Sequence, residues 1–286
     1  MDCIVEACAE AQRPYGCSAI AVAEAGLLRG SGDEAFPRAS VPVVEYRNGT
    51  ACQKVRDTIC ERELRLVVNG EPLVSLLCSD ASLRELAYGF LYSEGIIGSL
   101  ADVGLFSIDR RSMEASFGVH SSVCTPACPT ISSGFGGKAL VAFSSELPRS
   151  SVRMPRKCVF TMEDLTRAVS AMCSFSREYA ITRGIHCSAL FHRGVPLASF
   201  EDIGRHNTFD KLAGRCLLEG FGAEGALLAT TGRISSEMVR KALRLGVSGI
   251  ASLSGPTDKA IAIAQNAGML LAGYVTETSS YVYAGM

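Results

Sequence analysis

"GALLATTGRISSEMVRKALRLGVSGIAS", residues 225–252, places an amphipathic stretch between two short apolar runs. The runs 225–232 and 247–254 are typical of buried strands, because each is apolar and ends at Gly or Ser. Residues 235–246 between them have the apolar spacing of a helix. An order of strand, helix and strand implies a sheet with helices packed on it, so this stretch predicts an α/β core.

The same alternation extends in both directions from this stretch. Residues 187–200 predict a strand hairpin and residues 206–220 a helix, while 256–268 and 269–275 predict a final helix and a final strand. "TMEDLTRAVSAMCSF", residues 161–175, opens with Thr161 and has Asp164 three positions later, which predicts a helix that begins with a capping box.

The N-terminal half shows a different pattern. In residues 63–78, two runs rich in Val and Leu flank Asn69-Gly70, a strong signal for a two-residue hairpin turn. Residues 79–97 predict a helix with Ser79 or Asp80 as its N-cap. We therefore predict three parts: a poorly ordered or variable extension over 1–54, a smaller β-rich subdomain over 55–150, and an α/β core with a mixed sheet and flanking helices over 151–286.

Composition limits the classes of partner. The 286-residue chain is 48% hydrophobic and 20% charged, and its 28 Lys and Arg nearly balance 29 Asp and Glu. This balance predicts no binding to nucleic acid or to a membrane surface, so an anionic ligand needs a local cluster of basic residues. No apolar run approaches the roughly 18–20 residues of a membrane helix, and the N-terminus lacks a basic signal start, so we expect a cytoplasmic protein.

The 12 cysteines are dispersed, and only Cys124 and Cys128 form a local pair, in "HSSVCTPACPT", residues 120–130. Such a pair suits half a zinc site, a disulfide, or a thiol that carries sulfur. Most of the others are expected to be small buried apolar residues in a reducing compartment.

Zinc is the less favoured of these hypotheses. A structural zinc site needs four ligands, whereas Cys124, Cys128 and His120 supply three. A zinc deaminase needs H-x-E followed by P-C-x-x-C, but Ser188 stands where the Glu should follow His186, and the cysteine pair precedes that histidine. We therefore expect no metal.

Sulfur chemistry needs an accessible cysteine of lowered pKa on a mobile loop. Pro126 and Pro129 disfavour helix around the pair, and His120 or Lys138 could stabilise a thiolate.

Polar residues concentrate at two junctions between a strand and a helix. "EDIGRHNTFDK", residues 201–211, suggests a site role for Glu201, Asp202, Arg205 and His206, while Asn207 and Asp210 equally suit a capped helix start. "TTGRISSEMVRKA", residues 230–242, presents Arg233 and Ser235 at a helix start, where phosphate binding and simple capping are both open. "SGPTDKA", residues 254–260, repeats this pattern.

These segments, with the hairpin and helix of residues 69–97 and the cysteine loop, resemble the formate dehydrogenase accessory protein family, FdhD. The resemblance covers roughly residues 55–284, and the run "EDIGRHNTFDK" is its most specific motif. It implies a cytidine-deaminase-like fold without zinc chemistry, and a homodimer.

The resemblance implies a sulfurtransferase for the molybdenum cofactor. The family takes sulfur as a persulfide from a cysteine desulfurase and passes it to bis-molybdopterin guanine dinucleotide, which then enters formate dehydrogenase. By this resemblance Cys124 carries the persulfide and Cys128 is the second candidate, although three residues separate them where the family commonly has two. The residues implied in cofactor binding are Arg205, His206, Arg233, Ser235, Leu271, Ala272, Gly273, Tyr274, Val275 and Thr276. A zinc-dependent nucleotide deaminase and a non-catalytic cofactor carrier are the alternative hypotheses.

Overall fold

The computed structural model describes residues 36–120, 129–130, 142–143 and 158–285. Cys124, Cys128 and Lys138 therefore lie outside the described residues. In the described part, no helix is long and apolar enough to cross a bilayer.

The chain begins its described part with a strand pair. Strands β1 (Arg38–Arg47) and β2 (Thr50–Ile59) are antiparallel, and Asn48 and Gly49 form the turn with φ of 50° and 80°. The predicted boundary after residue 54 falls inside β2, and residues 38–54 form most of this hairpin. Asn48-Gly49 is the same two-residue turn signal as Asn69-Gly70, and both of its residues have positive φ.

A four-stranded sheet follows, in the order β4-β3-β6-β5. Its strands are β3 (Arg62–Val68), β4 (Glu71–Cys78), β5 (Val103–Asp109) and β6 (Glu114–Val119). The predicted hairpin at Asn69-Gly70 is confirmed, because β3 and β4 pair antiparallel across it. Two short strands, β7 (Pro129–Thr130) and β8 (Ala142–Phe143), pair with each other farther along the chain.

Helix α1 (Leu83–Ser93) covers one face of this sheet. Leu83, Leu86 and Phe90 lie on its buried face. The predicted N-cap is wrong: the helix begins after Ser82, whose φ is 51°. Ser79 and Asp80 instead contact residues far away in the sequence: Ser79 contacts Asp202, and Asp80 contacts Arg110.

The C-terminal half forms a mixed six-stranded sheet in the order β10-β9-β11-β12-β13-β14. Its strands are β9 (His186–His192), β10 (Val195–Asp202), β11 (Leu227–Thr230), β12 (Gly249–Ser252), β13 (Leu270–Gly273) and β14 (Tyr281–Ala284). Strands β11, β12 and β13 are parallel, and β9 and β14 run antiparallel to their neighbours in this group. The predicted α/β class with a mixed sheet is confirmed.

Helices cover both faces of this sheet. They are α2 (Met162–Phe175), α3 (Arg177–Thr182), α4 (Arg205–Glu219), α5 (Ser236–Leu245) and α6 (Asp258–Ala267). Side chains such as Ala189 and Ala229 pack under α2, while Leu190 and Leu228 pack under α4 and α5. Successive strand residues point to opposite faces, so one strand supplies both layers of the core.

The helix starts follow the sequence signals closely. Thr161 and Asp164 form the predicted capping box, and Ser235 and Thr257 cap α5 and α6 through their hydroxyls. Strand β13 ends earlier than predicted, because Tyr274 adopts φ 50° and turns the chain.

Candidate functional site

The carboxyl ends of β10, β11, β12 and β13 lie along one edge of the large sheet, together with the start of β9. Three helices begin at this edge: α4 at Arg205, α5 at Ser236 and α6 at Asp258. Their N-termini present backbone N–H groups and partial positive charge to the same side, an arrangement that favours anions.

Hydroxyl groups hold the loops at this edge. Ser252 donates from its Oγ to the carbonyl oxygen of Gly232 at 2.7 Å, and Ser254 donates to that of Thr231 at 3.0 Å. Gly232 is required here by space, since a Cβ on it would lie 2.9 Å from Cβ of Arg205. The loop after β11 therefore fits directly against the start of α4.

Four of the predicted site residues meet at this edge: Arg205, His206, Arg233 and Ser235. The Nε2 atom of His206 lies 3.4 Å from Oγ of Ser235. Burial lowers the pKa of Arg205, and the charge of Arg233 lowers it further, so the two guanidinium groups are close enough to repel each other. The Nε atom of Arg205 is buried and has no hydrogen-bond partner among the described residues.

Two histidines flank the guanidinium groups. Burial lowers the pKa of His206 to about 4, although Glu237 opposes the shift. The 3.5 Å contact of His206 with Glu237 is therefore not an ion pair at neutral pH, because the imidazole is uncharged. His186 contacts Oγ1 of Thr231 through Nδ1 at 3.2 Å, and burial followed by the charge of Arg205 lowers its pKa. Sequence reasoning noted His186 for its missing Glu, and gave no signal for Thr231 or Glu237.

The acidic residues of the motif at 201–211 have other roles. The carboxylate of Glu201 accepts hydrogen bonds from the backbone N–H groups of Glu178 and Tyr179, at the start of α3. Asp202 forms a fully buried ion pair with Lys211. Both carboxylates are therefore occupied by contacts within the protein, Glu201 with α3 and Asp202 with Lys211.

The capping role that was open for Asn207 and Asp210 is not observed, since Gly204 is the N-cap of α4. Asn207 donates from Nδ2 to the carbonyl oxygen of Leu77 and to Asp202. Asp210 pairs with Lys241 at 2.7 Å, in the interface with α5, and Lys241 also contacts Glu94, the C-cap residue of α1. Asp210 thus serves a long-range contact, and Asn207 connects the start of α4 both to Asp202 and to Leu77 of β4.

The residues from Leu271 to Thr276 differ in how deeply their side chains are buried. The side chains of Leu271, Ala272 and Val275 lie in the core. Tyr274 is 51% exposed, and its ring meets that of Tyr281 edge to face at 5.9 Å. Thr276 donates from Oγ1 to the carbonyl oxygen of Ser279. Gly273 packs against the carbonyl oxygen of Ser254. Of these six residues, Tyr274 therefore has the largest exposed side chain.

The large cavity of the described part lies away from this edge. It has a volume of about 460 Å³ and is lined largely by apolar residues of α2, of the β9–β10 turn region and of the chain around residues 158–160. None of the four clustered residues lines it. Within the described ranges, no three His, Cys, Asp or Glu side chains are grouped to hold a metal ion.

The fold and this edge define an α/β protein in which two guanidinium groups lie close together beside the N-termini of helices. Residues 59–286 match the sequence model of the FdhD/NarQ family, and the chain belongs to this family. It is 32% identical over 254 residues to the sulfur carrier protein FdhD of Bacillus licheniformis, covering 84% of this chain and 93% of that one. It is 34% identical over 267 residues to the sulfur carrier protein FdhD of Anaeromyxobacter dehalogenans, covering 83% and 89%.

A solved structure has the same fold. The crystal structure of a proposed formate dehydrogenase accessory protein from Desulfotalea psychrophila superimposes with a TM-score of 0.70 at 20% identity, over 86% of this chain and 96% of that one.

Proposed function

We propose that this protein is a sulfurtransferase for the molybdenum cofactor. It accepts sulfur as a cysteine persulfide from a cysteine desulfurase and transfers it to bis-molybdopterin guanine dinucleotide, which formate dehydrogenase then uses. Membership of a family whose curated relatives are named sulfur carriers supports the sulfur chemistry. The observation that carries the proposed cofactor binding is the proximity of the Arg205 and Arg233 guanidinium groups at the strand ends.

Cys124 is the proposed persulfide carrier, with Cys128 as the second candidate. A sulfur acceptor must attack as a thiolate. Burial raises the pKa of Cys78, Cys187 and Cys216 to about 12, so these three thiols stay protonated near neutral pH. Cys124 and Cys128 lie outside the described residues, and their assignment rests on the family motif.

The proposed acceptance step conserves electrons. The Cys124 thiolate attacks the terminal sulfur of the desulfurase persulfide, the S–S bond of the donor breaks, and the donor leaves as a thiolate. Delivery of that sulfur as sulfide needs two electrons. Attack of a Cys128 thiolate on the Cys124 sulfur would supply them, forming a disulfide and releasing hydrosulfide.

The cofactor is the acceptor substrate, and its guanine dinucleotide ends carry phosphate groups. Guanidinium groups bind phosphate bidentately, and helix N-termini add N–H donors. Arg205 and Arg233 repel each other without an anion between them, so a bound phosphate relieves an unfavourable contact. Ser235 and neutral His206 supply uncharged hydrogen-bonding groups beside it. Exposed Tyr274 is a further candidate contact, at the end of β13.

The proposal includes the partners of the pathway. Cysteine desulfurase donates, formate dehydrogenase receives the modified cofactor, and the protein acts in the cytoplasm as a homodimer. Light scattering after size exclusion tests the dimer, because a monomer at micromolar concentration would contradict it.

Mass spectrometry tests the persulfide directly. After incubation with a cysteine desulfurase and L-cysteine, we expect about 32 Da added to Cys124. Cys124→Ala should abolish formate dehydrogenase activity in a host that lacks its own copy, and Cys52→Ala, on β2, should not. If Cys124→Ala and Cys128→Ala both retain full activity, the protein transfers no sulfur through these cysteines and is instead a non-catalytic carrier of the cofactor. Stoichiometric zinc with ammonia release from a nucleoside would instead identify a deaminase.

A further inference from the structure

The carboxylate of Asp202 lies at the end of β10, three residues before Arg205. Both Asp202 and Lys211 have completely buried side chains, and Oδ2 of Asp202 lies 2.6 Å from Nζ of Lys211. A buried charge of this kind is costly unless all its hydrogen-bonding capacity is used.

The two oxygens of Asp202 accept from different parts of the molecule. Oδ2 accepts from Lys211 and from the backbone N–H and hydroxyl of Ser79, at 3.2 and 2.9 Å, where β4 of the small sheet ends. Oδ1 accepts from the backbone N–H of Gly204 at 2.9 Å and from Nδ2 of Asn207 at 2.7 Å. One oxygen thus anchors the residue to the small sheet, and the other holds the turn into α4.

The donors to Oδ1 stand on either side of Arg205 and His206 in the chain. Thr208 completes the arrangement, because its Oγ1 donates to the carbonyl oxygen of Arg205 at 2.8 Å and contacts the hydroxyl of Ser188. The backbone of Arg205 is therefore fixed from both directions.

We infer that Asp202 is a positioning residue for the anion site: through Oδ1 it holds the turn so that Arg205 lies beside Arg233 before a ligand binds. This inference rests on the proposed function, since it concerns the same site. The two guanidinium groups repel each other, so their proximity in the free protein requires a rigid backbone. Preorganised groups bind more tightly, because less ordering is left for the moment of binding.

Positioning by Asp202 depends on the acceptor oxygen Oδ1 and not on the charges of Asp202 and Lys211. A buried ion pair can often be replaced by apolar residues of similar volume without loss of stability. A variant that removes the ion pair but keeps an acceptor oxygen at position 202 therefore separates positioning from stability.

The test compares two double variants. Asp202→Leu with Lys211→Met removes both the charges and the acceptor, whereas Asp202→Asn with Lys211→Met removes the charges and keeps one oxygen for Gly204 and Asn207. The probes are calorimetric binding of GDP and hydrogen–deuterium exchange of residues 203–208. The Leu/Met variant should bind GDP at least about tenfold more weakly and exchange faster in this segment. The Asn/Met variant should stay within about threefold of the unaltered protein.

Equal GDP affinities and equal exchange in the two variants would overturn the inference. If the Leu/Met variant does not fold, Asn207→Ala provides the contrast, since it removes one donor to Oδ1 and leaves the ion pair. Unchanged exchange and affinity in that variant would also count against the inference. Failure of the unaltered protein to bind GDP would refute the proposed cofactor site, while the exchange data would still decide whether Asp202 holds the turn.

Discussion

Gly89 of α1 lies directly against the backbone of Asp210 in α4. A Cβ built on Gly89 would be 1.7 Å from the carbonyl oxygen of Asp210, and one built on Gly214 would be 1.9 Å from that of Glu85. Two glycines thus let the helices touch through their backbones. This contact joins the small sheet, which α1 covers, to the large sheet, which α4 covers.

Gly89→Ala should destabilise the protein strongly. The added methyl group meets backbone on the facing helix, so the helices must separate and lose packing along their whole contact. We expect the free energy of unfolding to fall by about 3 kcal/mol or more, measured by urea denaturation. Gly184→Ala is the matched control, because the nearest contact of its Cβ is Oγ1 of Thr182 at 3.9 Å. Equal stabilities of the two variants would contradict the close helix contact.

His206 should titrate far below ordinary histidines. Burial lowers its pKa to about 4, with Arg205, Lys241 and His186 acting in the same direction and Glu237 against it. NMR of the imidazole ring should show a neutral side chain throughout the range from pH 6 to 8. A midpoint near the ordinary value would show that the ring is not buried as described.

The same shift makes stability depend on pH with a definite sign. Between about pH 4 and 6.5 the unfolded chain binds more protons at this histidine than the folded protein does, so acidification favours unfolding. Relative to His206→Gln, the unaltered protein should lose at most about 1.4 kcal/mol per pH unit as the pH falls through this range. The comparison with the variant is needed, because buried Glu94, Asp210 and Glu201 have raised pKa values and contribute with the opposite sign.

Arg233→Gln should weaken anion binding without weakening the fold. Removal of one guanidinium group takes away the proposed phosphate contact and also the repulsion on Arg205. We expect the Kd for GDP to rise about tenfold or more, with the free energy of unfolding unchanged within about 0.5 kcal/mol. Arg111→Gln, an exposed position in the turn before β6, is the control and should leave the Kd unchanged. A parallel loss of stability in Arg233→Gln would point to a structural role.

The deeply buried cysteines should resist alkylation. Cys52 is exposed, whereas burial raises the pKa of Cys78, Cys187 and Cys216 to about 12. With iodoacetamide at pH 8, Cys52 should react at least about a hundredfold faster than these three, as measured by peptide mass spectrometry. After denaturation all four should react at similar rates. Rapid reaction of Cys187 in the native protein would show that its thiol is accessible.

Features that depend on neighbouring residues were predictable from the sequence. The turn at Asn69-Gly70, the capping box of Thr161 and Asp164, and the capping hydroxyl of Ser235 each arise from contacts within a few positions. The α/β order of residues 225–275 is equally local, since strand and helix differ in the spacing of apolar residues. The clustering of Arg205 with Arg233 did not follow from that order, because Arg205 comes after β10, which lies outside it and is separated from β11 by β9. Only the family resemblance placed the two residues in one site.

Only the tertiary structure separated the roles of Glu201 and Asp202. They are adjacent carboxylates in one strand, so their side chains point to opposite faces of the sheet. Glu201 meets the start of α3, and Asp202 meets Lys211 and Ser79, which is 123 residues away in the chain. The local sequence determines which face of the sheet a side chain points to. It carries no information about which distant residue contacts that side chain, because the contact depends on how the two sheets pack together.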